Sequence, residues 1–124
     1  MKTILLVEDD PFILDIYVSQ FKQKGFLVDV AKDGQTAMEK IKSNHPDILL
    51  LDILLPKING IELLRMIRND EAIKNTKVIV ISNLNQKDYA KDIADLGVIK
   101  YFLKIQTTPE EIVNNINEIL NTKS

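Results

Sequence analysis

The amino-acid sequence predicts an α/β fold in which helices cover both faces of a parallel sheet. Five apolar runs of strand length alternate with five segments of helical spacing, and no linker, repeat or low-complexity stretch interrupts them. Strict alternation of strands and helices favours crossover connections and parallel pairing. A chain of 124 residues has the size of one domain, so we expect residues 1–124 to form a single unit.

The predicted strands are short runs rich in Ile, Leu and Val, and they cover Thr3–Val7, Leu27–Ala31, Asp47–Leu51, Lys77–Ile81 and Ile99–Leu103. The third run is almost continuously apolar, which is typical of a strand buried on both faces. Its acidic end at Asp52 therefore lies at the rim of the predicted core.

Capping residues mark where the predicted helices begin. Asp10 and Pro11 have the N-cap and first-position pattern, and Gly25 ends this first helix. We expect its apolar face to contain Phe12, Ile13, Ile16 and Phe21. The later helices are expected to begin at Asp33, Asn59, Asn85 and Thr108.

Composition excludes several classes of function. The net charge of −2 and the lack of a Lys/Arg-rich block argue against direct binding to nucleic acid or to an anionic membrane. The chain has no cysteine, which excludes disulfides, thiolate metal sites and Cys nucleophiles. The first apolar run is cut off by acids and no 18-residue apolar stretch exists, so we expect a cytoplasmic chain without a signal peptide or membrane span.

Five chemically useful residues follow or end predicted strands, and they are Glu8, Asp9, Asp52, Ser82 and Lys104. In open parallel sheets, ligands bind beyond the carboxyl ends of the strands. Converging carboxylates stay ionised when a cation or a lysine compensates them, and oxygen ligands alone suit Mg²⁺ or Mn²⁺. A carboxylate can also attack phosphorus, while a metal ion and a lysine neutralise the transferring group.

Taken singly, these and other polar residues have ordinary structural explanations. Asp10 is expected to be a helix cap, and His45 to be an exposed loop residue without a catalytic role. Three further acids are interpreted as caps or strand-edge charges: Asp29, Asp33 and Asp47. Only the joint pattern favours a functional site.

That pattern resembles the receiver domains of bacterial response regulators over essentially the whole chain. The matching motifs are residues 4–11, residues 46–52 with Pro56, Asn59-Gly60, residues 79–82, and Gly97 with Tyr101 and Lys104. The resemblance implies a flavodoxin-like (βα)5 three-layer sandwich whose five-stranded parallel sheet has the order 2-1-3-4-5.

The resemblance also implies residue roles. Asp52 is similar to the phosphoacceptor of the family, and Lys104 to the lysine that pairs with it. Asp9 resembles the acid that binds Mg²⁺ directly, Glu8 the acid that acts largely through water, and the carbonyl of Leu54 the remaining protein ligand.

Two further residues resemble the family's switch. Ser82 is similar to the hydroxyl residue that moves to the phosphoryl oxygen, and Tyr101 to the aromatic residue that then turns inward. The chain departs from the family pattern at three places, the third of which is Ile99-Lys100. The first two lie beside the expected site: Asn83 replaces a small residue, and Ile105 replaces a proline that usually follows a cis bond. A cis bond before Ile would cost about 3–4 kcal/mol, so we expect a trans bond after Lys104.

The residues beside the expected site also affect the lifetime of a phosphoryl group. Leu54 and Leu84 lie two residues beyond Asp52 and Ser82 and cannot orient a water molecule, whereas Asn83 could alter access. We therefore expect a phosphorylated form that survives for minutes or more.

The resemblance implies a signalling switch that catalyses its own phosphorylation and dephosphorylation rather than a metabolic enzyme. Its donor would be a histidine kinase or a histidine phosphotransfer protein, and its target would bind the face of the fourth helix, last strand and last helix. Ile99-Lys100 makes dimerisation through that face less expected. A pseudo-receiver that binds partners without phosphate is the alternative, and a flavin-binding or phosphatase domain is a more distant one.

Overall fold

The computed structural model describes residues 2–55, 58–83 and 89–121. The strands are β1 (Thr3–Val7), β2 (Leu27–Ala31), β3 (Ile48–Asp52), β4 (Val78–Ser82) and β5 (Lys100–Leu103). The helices are α1 (Pro11–Gln23), α2 (Gly34–Asn44), α3 (Gly60–Arg68), α4 (Ala90–Asp95) and α5 (Pro109–Asn121). The predicted alternation is confirmed, although β3 and β4 lie one residue further along than expected and β5 begins one residue later.

The five strands form one parallel sheet in the order β2-β1-β3-β4-β5, which confirms the predicted topology. The central strands β3 and β4 are buried along their whole length. Such strands need cover on both faces, and the helices provide it.

Alternate residues of the strands build two separate cores. On one face, α2 and α3 pack against a cluster that contains Leu5, Leu49 and Val80. On the other, α1 and α5 pack against a cluster that contains Leu6 and Leu50. Side chains of a strand point alternately to its two faces, so each strand contributes to both cores. Within the described residues, no helix combines the length and apolarity needed to cross a membrane.

The apolar face predicted for α1 is wrong in part. Phe12 is 80% exposed and Ile16 is 46% exposed, whereas Leu14, Tyr17 and Phe21 are buried. The buried residues recur at intervals of three and four, which is also a helical period, so the sequence of α1 is compatible with more than one apolar face. The face that packs against the sheet is the one that contains Leu14, Tyr17 and Phe21.

The predicted N-caps are confirmed where the structure describes them. Backbone N–H groups donate to the side chains of Asp10, Asp33, Asn59 and Thr108. These bonds satisfy N–H groups that have no partner within the helix.

The boundaries of α4 differ from the sequence pattern. Its predicted cap, Asn85, lies outside the described residues, as do Pro56 and Leu84. Tyr89 is the N-cap residue of α4 and Leu96 is its C-cap residue. Gly97 has a φ of +67°, so it ends the segment in the left-handed conformation that glycine adopts readily.

Three acids interpreted as structural have structural partners. Asp33 caps α2, and Asp29 pairs with Lys40 at 2.7 Å. The Asp47 carboxylate accepts from the backbone N–H of Thr3 at 2.7 Å, and this bond lowers the pKa of Asp47. His45 is exposed and is the left-handed C-cap of α2.

Arg68, the last residue of α3, forms hydrogen bonds with two neighbouring loops. Its guanidinium donates to the carbonyls of Leu96 at 2.7 Å and Gly97 at 3.4 Å, which follow α4. It also donates to the carbonyls of Lys74 at 2.7 Å and Thr76 at 2.6 Å, which precede β4. One side chain therefore donates hydrogen bonds to four backbone carbonyl groups.

Gly60 allows α3 to begin directly against the end of β3. A Cβ atom at this position would lie 2.7 Å from the carbonyl oxygen of Asp52 and 2.7 Å from the Cα of Ile53. Both atoms belong to the backbone, so they cannot rotate away. The Gly60 N–H instead donates to the Ile53 carbonyl at 2.7 Å.

Replacing Arg68 by Met should lower the free energy of unfolding by about 2 kcal/mol, because several carbonyls lose a charged donor. The matched control is Arg65→Met on the same helix. Arg65 forms one ion pair with Asp92, and its side chain is 52% exposed, so its loss should cost less than about 1 kcal/mol. Urea unfolding of both variants measures the difference, and equal losses would contradict the role assigned to Arg68.

Replacing Gly60 by Ala should lower the free energy of unfolding by about 2 kcal/mol, because the new methyl group overlaps backbone atoms of β3. Gly34→Ala is the control, since the atom nearest to its added Cβ would be the Cγ2 methyl group of Ile58, a side-chain atom that can shift where backbone atoms cannot. Thermal unfolding of both variants tests the prediction. It fails if Gly60→Ala is as stable as Gly34→Ala.

Candidate functional site

The register of the sheet brings the predicted site residues to one edge. Asp52 ends β3 and pairs with Ile81, while Ser82 ends β4. Glu8 directly follows β1, and Lys104 directly follows β5. Parallel strands end on the same side of a sheet, so these side chains come from separate strands to one rim.

Lys104 joins the two buried carboxylates. Its Nζ lies 2.7 Å from Oε2 of Glu8 and 2.7 Å from Oδ2 of Asp52. The Lys104 side chain is 16% exposed, and each carboxylate side chain is 4% exposed. The described backbone contains no cis peptide, so the bond between Lys104 and Ile105 is trans, as predicted. The replacement of proline by Ile105 is therefore compatible with a lysine that contacts Asp52.

The second oxygen of each carboxylate has its own backbone donor. Oε1 of Glu8 accepts from the N–H groups of Asp9 and Asp10, both at 3.2 Å. Oδ1 of Asp52 accepts from the N–H of Leu54 at 3.1 Å. Both carboxylates are thus held at two points, which fixes their orientation at the rim.

The electrostatic balance of the site is negative. Burial raises the pKa of Glu8 to about 7; the Lys104 hydrogen bond opposes this rise, and the charge of Asp52 adds to it. Burial by itself lowers the pKa of Lys104, but its hydrogen bonds to Asp52 and Glu8 outweigh that effect and the net shift is upward. Lys104 therefore stays protonated next to two carboxylates that it cannot fully compensate.

The three acids form a donor set suited to a hard cation. Glu8, Asp9 and Asp52 each offer a carboxylate oxygen, and these oxygens lie within 4.8 Å of one another. Asp9 is exposed, so the group opens to solvent on one side. Oxygen donors without nitrogen or sulfur suit Mg²⁺ or Mn²⁺, and one ammonium group leaves part of the negative charge for such an ion. The residues therefore fit a divalent cation.

The remaining predicted residues surround this cluster at different depths. Ser82 is fully buried, and its carbonyl accepts from the Lys104 N–H at 2.9 Å. Asn83, the next residue, is exposed, and Leu54 is 53% exposed. Tyr101 is half-buried in β5 and packs against the core cluster beneath α2 and α3.

Three features of this site were not predicted from the sequence. The contact of Lys104 with Glu8 is one, and the close approach of Gly60 to the backbone of β3 is another. The third is Tyr17, which is 3% exposed and lines a cavity of about 130 Å³ together with Lys104. A tyrosine among the aliphatic residues of α1 was the available indication, since a buried hydroxyl is unusual in a plain core.

Comparison with known proteins identifies the family of this chain. The model of the response regulator receiver domain matches residues 4–117. DivK, a polar-differentiation response regulator of Brucella ovis, is 25% identical over 111 residues that cover 90% of each chain. The gliding motility regulatory protein of Myxococcus xanthus is 28% identical over 116 residues, and the chain spans 15% of that protein's length.

Solved structures agree with this placement. The phosphorylated cyanobacterial phytochrome response regulator RcpA superposes with a TM-score of 0.87 at 29% identity, covering 99% of this chain and 96% of that one. The Mn²⁺-bound form of response regulator Rcp1 superposes with a TM-score of 0.87 at 26% identity, covering 100% and 98%. The fold is thus the flavodoxin-like fold of CheY-like proteins. The chain belongs to the response regulator receiver family.

Proposed function

We propose that the chain is a working receiver that accepts a phosphoryl group on Asp52. The observation that carries this proposal is the Lys104 ammonium group, which contacts both Asp52 and Glu8. A carboxylate oxygen of Asp9 lies within 4.8 Å of an oxygen of each of these acids. A buried carboxylate that contacts a lysine and has further acids nearby has the parts that phosphoryl transfer needs.

Asp52 supplies the nucleophile in the proposed reaction. One of its oxygens attacks the phosphorus atom of a phosphohistidine, and an O–P bond forms as the P–N bond breaks. The electron pair of the broken bond remains on the imidazole nitrogen, which leaves with the donor protein. Lys104 lies beside the attacked group and neutralises part of its charge, while the hydroxyl of Ser82 donates to a phosphoryl oxygen.

A divalent ion, Mg²⁺ or Mn²⁺, completes the proposed site by neutralising charge on the phosphoryl oxygens. We assign Asp9 and Asp52 as direct ligands, Glu8 as a ligand largely through water, and the Leu54 carbonyl as a further ligand. The Mn²⁺-bound form of the related Rcp1 supports the choice of a divalent cation.

The phosphorylated chain signals through its surface in this proposal. Ser82 moves toward the phosphoryl group, and Tyr101 turns inward to occupy the space beside it. This changes the face built by α4, β5 and α5, which binds the downstream protein rather than nucleic acid or a membrane. The donor is a histidine kinase or phosphotransfer protein of the kind that partners this family, and the exchange takes place in the cytoplasm.

Incubation with acetyl phosphate and Mg²⁺ should add the mass of one phosphoryl group, because Asp52 is the buried carboxylate beside both Lys104 and the candidate ligands. Intact mass spectrometry measures the gain. Asp52→Asn should abolish it. The matched control is Asp47→Asn, which removes an acid just before β3, at the opposite end of that strand, and should leave the gain unchanged.

Two outcomes would contradict the proposal. A gain that persists in Asp52→Asn would move the acceptor elsewhere. No gain in the wild-type chain at high Mg²⁺ would favour the alternative of a pseudo-receiver that binds partners without phosphate.

We expect the phosphorylated form to survive for minutes or more, because the aliphatic side chain of Leu54 cannot orient an attacking water molecule. Leu54→Gln should shorten the lifetime severalfold by adding an amide beside Asp52. Leu84, the second residue invoked in this argument, lies outside the described residues. Decay of the phosphorylated mass after removal of the donor measures the lifetime.

Leu27→Gln is the matched control for this experiment. Leu27 is 54% exposed, close to the 53% of Leu54, but it begins β2 at the far end of the sheet. Its replacement should leave the lifetime unchanged. Loss of phosphate from the wild-type chain within seconds would refute the expectation.

A further inference from the structure

The β2 edge of the sheet carries backbone groups that point away from the other strands. β2 stands at one end of the strand order, with β1 as its neighbour. The N–H of Leu27 donates to a carbonyl just before β1, and the carbonyl of Ala31 accepts from an N–H just after β1. Backbone groups of successive residues in a strand point to opposite sides, so Val28 and Val30 turn theirs outward.

The sequence of β2 is well suited to pairing with a further strand. The outward-facing N–H and C=O groups of an edge strand are a template for another chain. β2 contains two β-branched valines and a single charged residue, Asp29, a composition that favours strand pairing. Leu27 at its start is 54% exposed and adds apolar surface beside this edge.

The side chains of Asp29 and Lys40 occupy both outward-facing groups of Val30. The N–H of Val30 donates to Oδ1 of Asp29 at 2.9 Å, and the carbonyl of Val30 accepts from Nζ of Lys40 at 2.6 Å. The same Nζ donates to Oδ1 of Asp29 at 2.7 Å, so the three bonds form a closed ring. Oδ2 of Asp29 also accepts from Nδ2 of Asn44 at 3.3 Å, which links the carboxylate to α2 a second time.

We propose that the Asp29–Lys40 pair blocks this edge of the sheet and prevents β2 from pairing with β2 of a second copy of the chain. The pair takes the donor and acceptor positions that a neighbouring strand would use at Val30. The Lys40 side chain is 33% exposed, so an incoming strand would have to displace a hydrated charge. This inference goes beyond the proposed function, and β2 lies at the opposite edge of the sheet from β5.

Replacing Lys40 by Met tests the block, because Met has a similar length and no donor. The carbonyl of Val30 then becomes available to a second chain. Analytical ultracentrifugation should give a dimer dissociation constant lower than that of the wild-type chain by about tenfold or more, the effect of freeing a group from a charged hydrogen bond. Asp29→Ala frees the Val30 N–H instead and should promote association in the same way.

Two control variants separate the block from a general effect of charge. Lys42→Met removes the same charge from the same helix, but Lys42 pairs at 3.2 Å with Asp70, which follows α3. Lys40→Arg keeps a cation with several donors, which can serve both the carboxylate and the carbonyl. Both controls should associate no more than the wild-type chain.

Amide hydrogen exchange locates the contact between copies. In Lys40→Met, the amides of Val28 and Val30 should become more protected as the protein concentration rises, because a β2–β2 pair buries them. In Lys42→Met their protection should not depend on concentration.

The proposal is refuted if Lys40→Met and Asp29→Ala associate no more than Lys42→Met. It is equally refuted if they associate while exchange in β2 stays independent of concentration. These measurements use no phosphoryl donor, so their outcome is independent of phosphorylation of Asp52.

Discussion

The ammonium group of Lys104 shared by Glu8 and Asp52 is the interaction on which the rest of the site depends. Two carboxylates, each with 3% of the residue exposed, lie side by side at the end of the sheet, and burial of unpaired charge is costly. The lysine makes their burial tolerable, and it does so because β1, β3 and β5 all end at the same rim. The two hydrogen bonds of 2.7 Å can therefore form only because the strand order brings these three side chains together.

The strands that carry the site residues are packed on both faces. Asp52 and Ser82 end the fully buried strands β3 and β4, and one apolar core lies on each side of the sheet. Contacts to the backbone also hold two of the connections between elements. Gly60 brings α3 against the end of β3, and Arg68 binds the carbonyls of the segments before β4 and after α4.

The charge of the site is the second constraint on this part of the fold. Three acids and one lysine leave an excess of negative charge, which suits a divalent cation. Glu8 accepts from the backbone N–H groups of Asp9 and Asp10, so the turn into α1 fixes its orientation. The position of the Lys104 ammonium group is in turn set by both buried acids.

The sequence by itself determined the order of strands and helices, four of the caps and the residues at the ends of the strands, because these depend on periodicity and on contacts a few residues apart. The tertiary structure decided which stripe of α1 is buried, leaving Phe12 and Ile16 exposed, because two stripes had the required period and the sheet could cover one. It also decided that Lys104 contacts Glu8, a residue 96 positions away, and that Gly60 touches the backbone of β3. Such contacts arise when the sheet closes, and local patterns do not encode distances between strands.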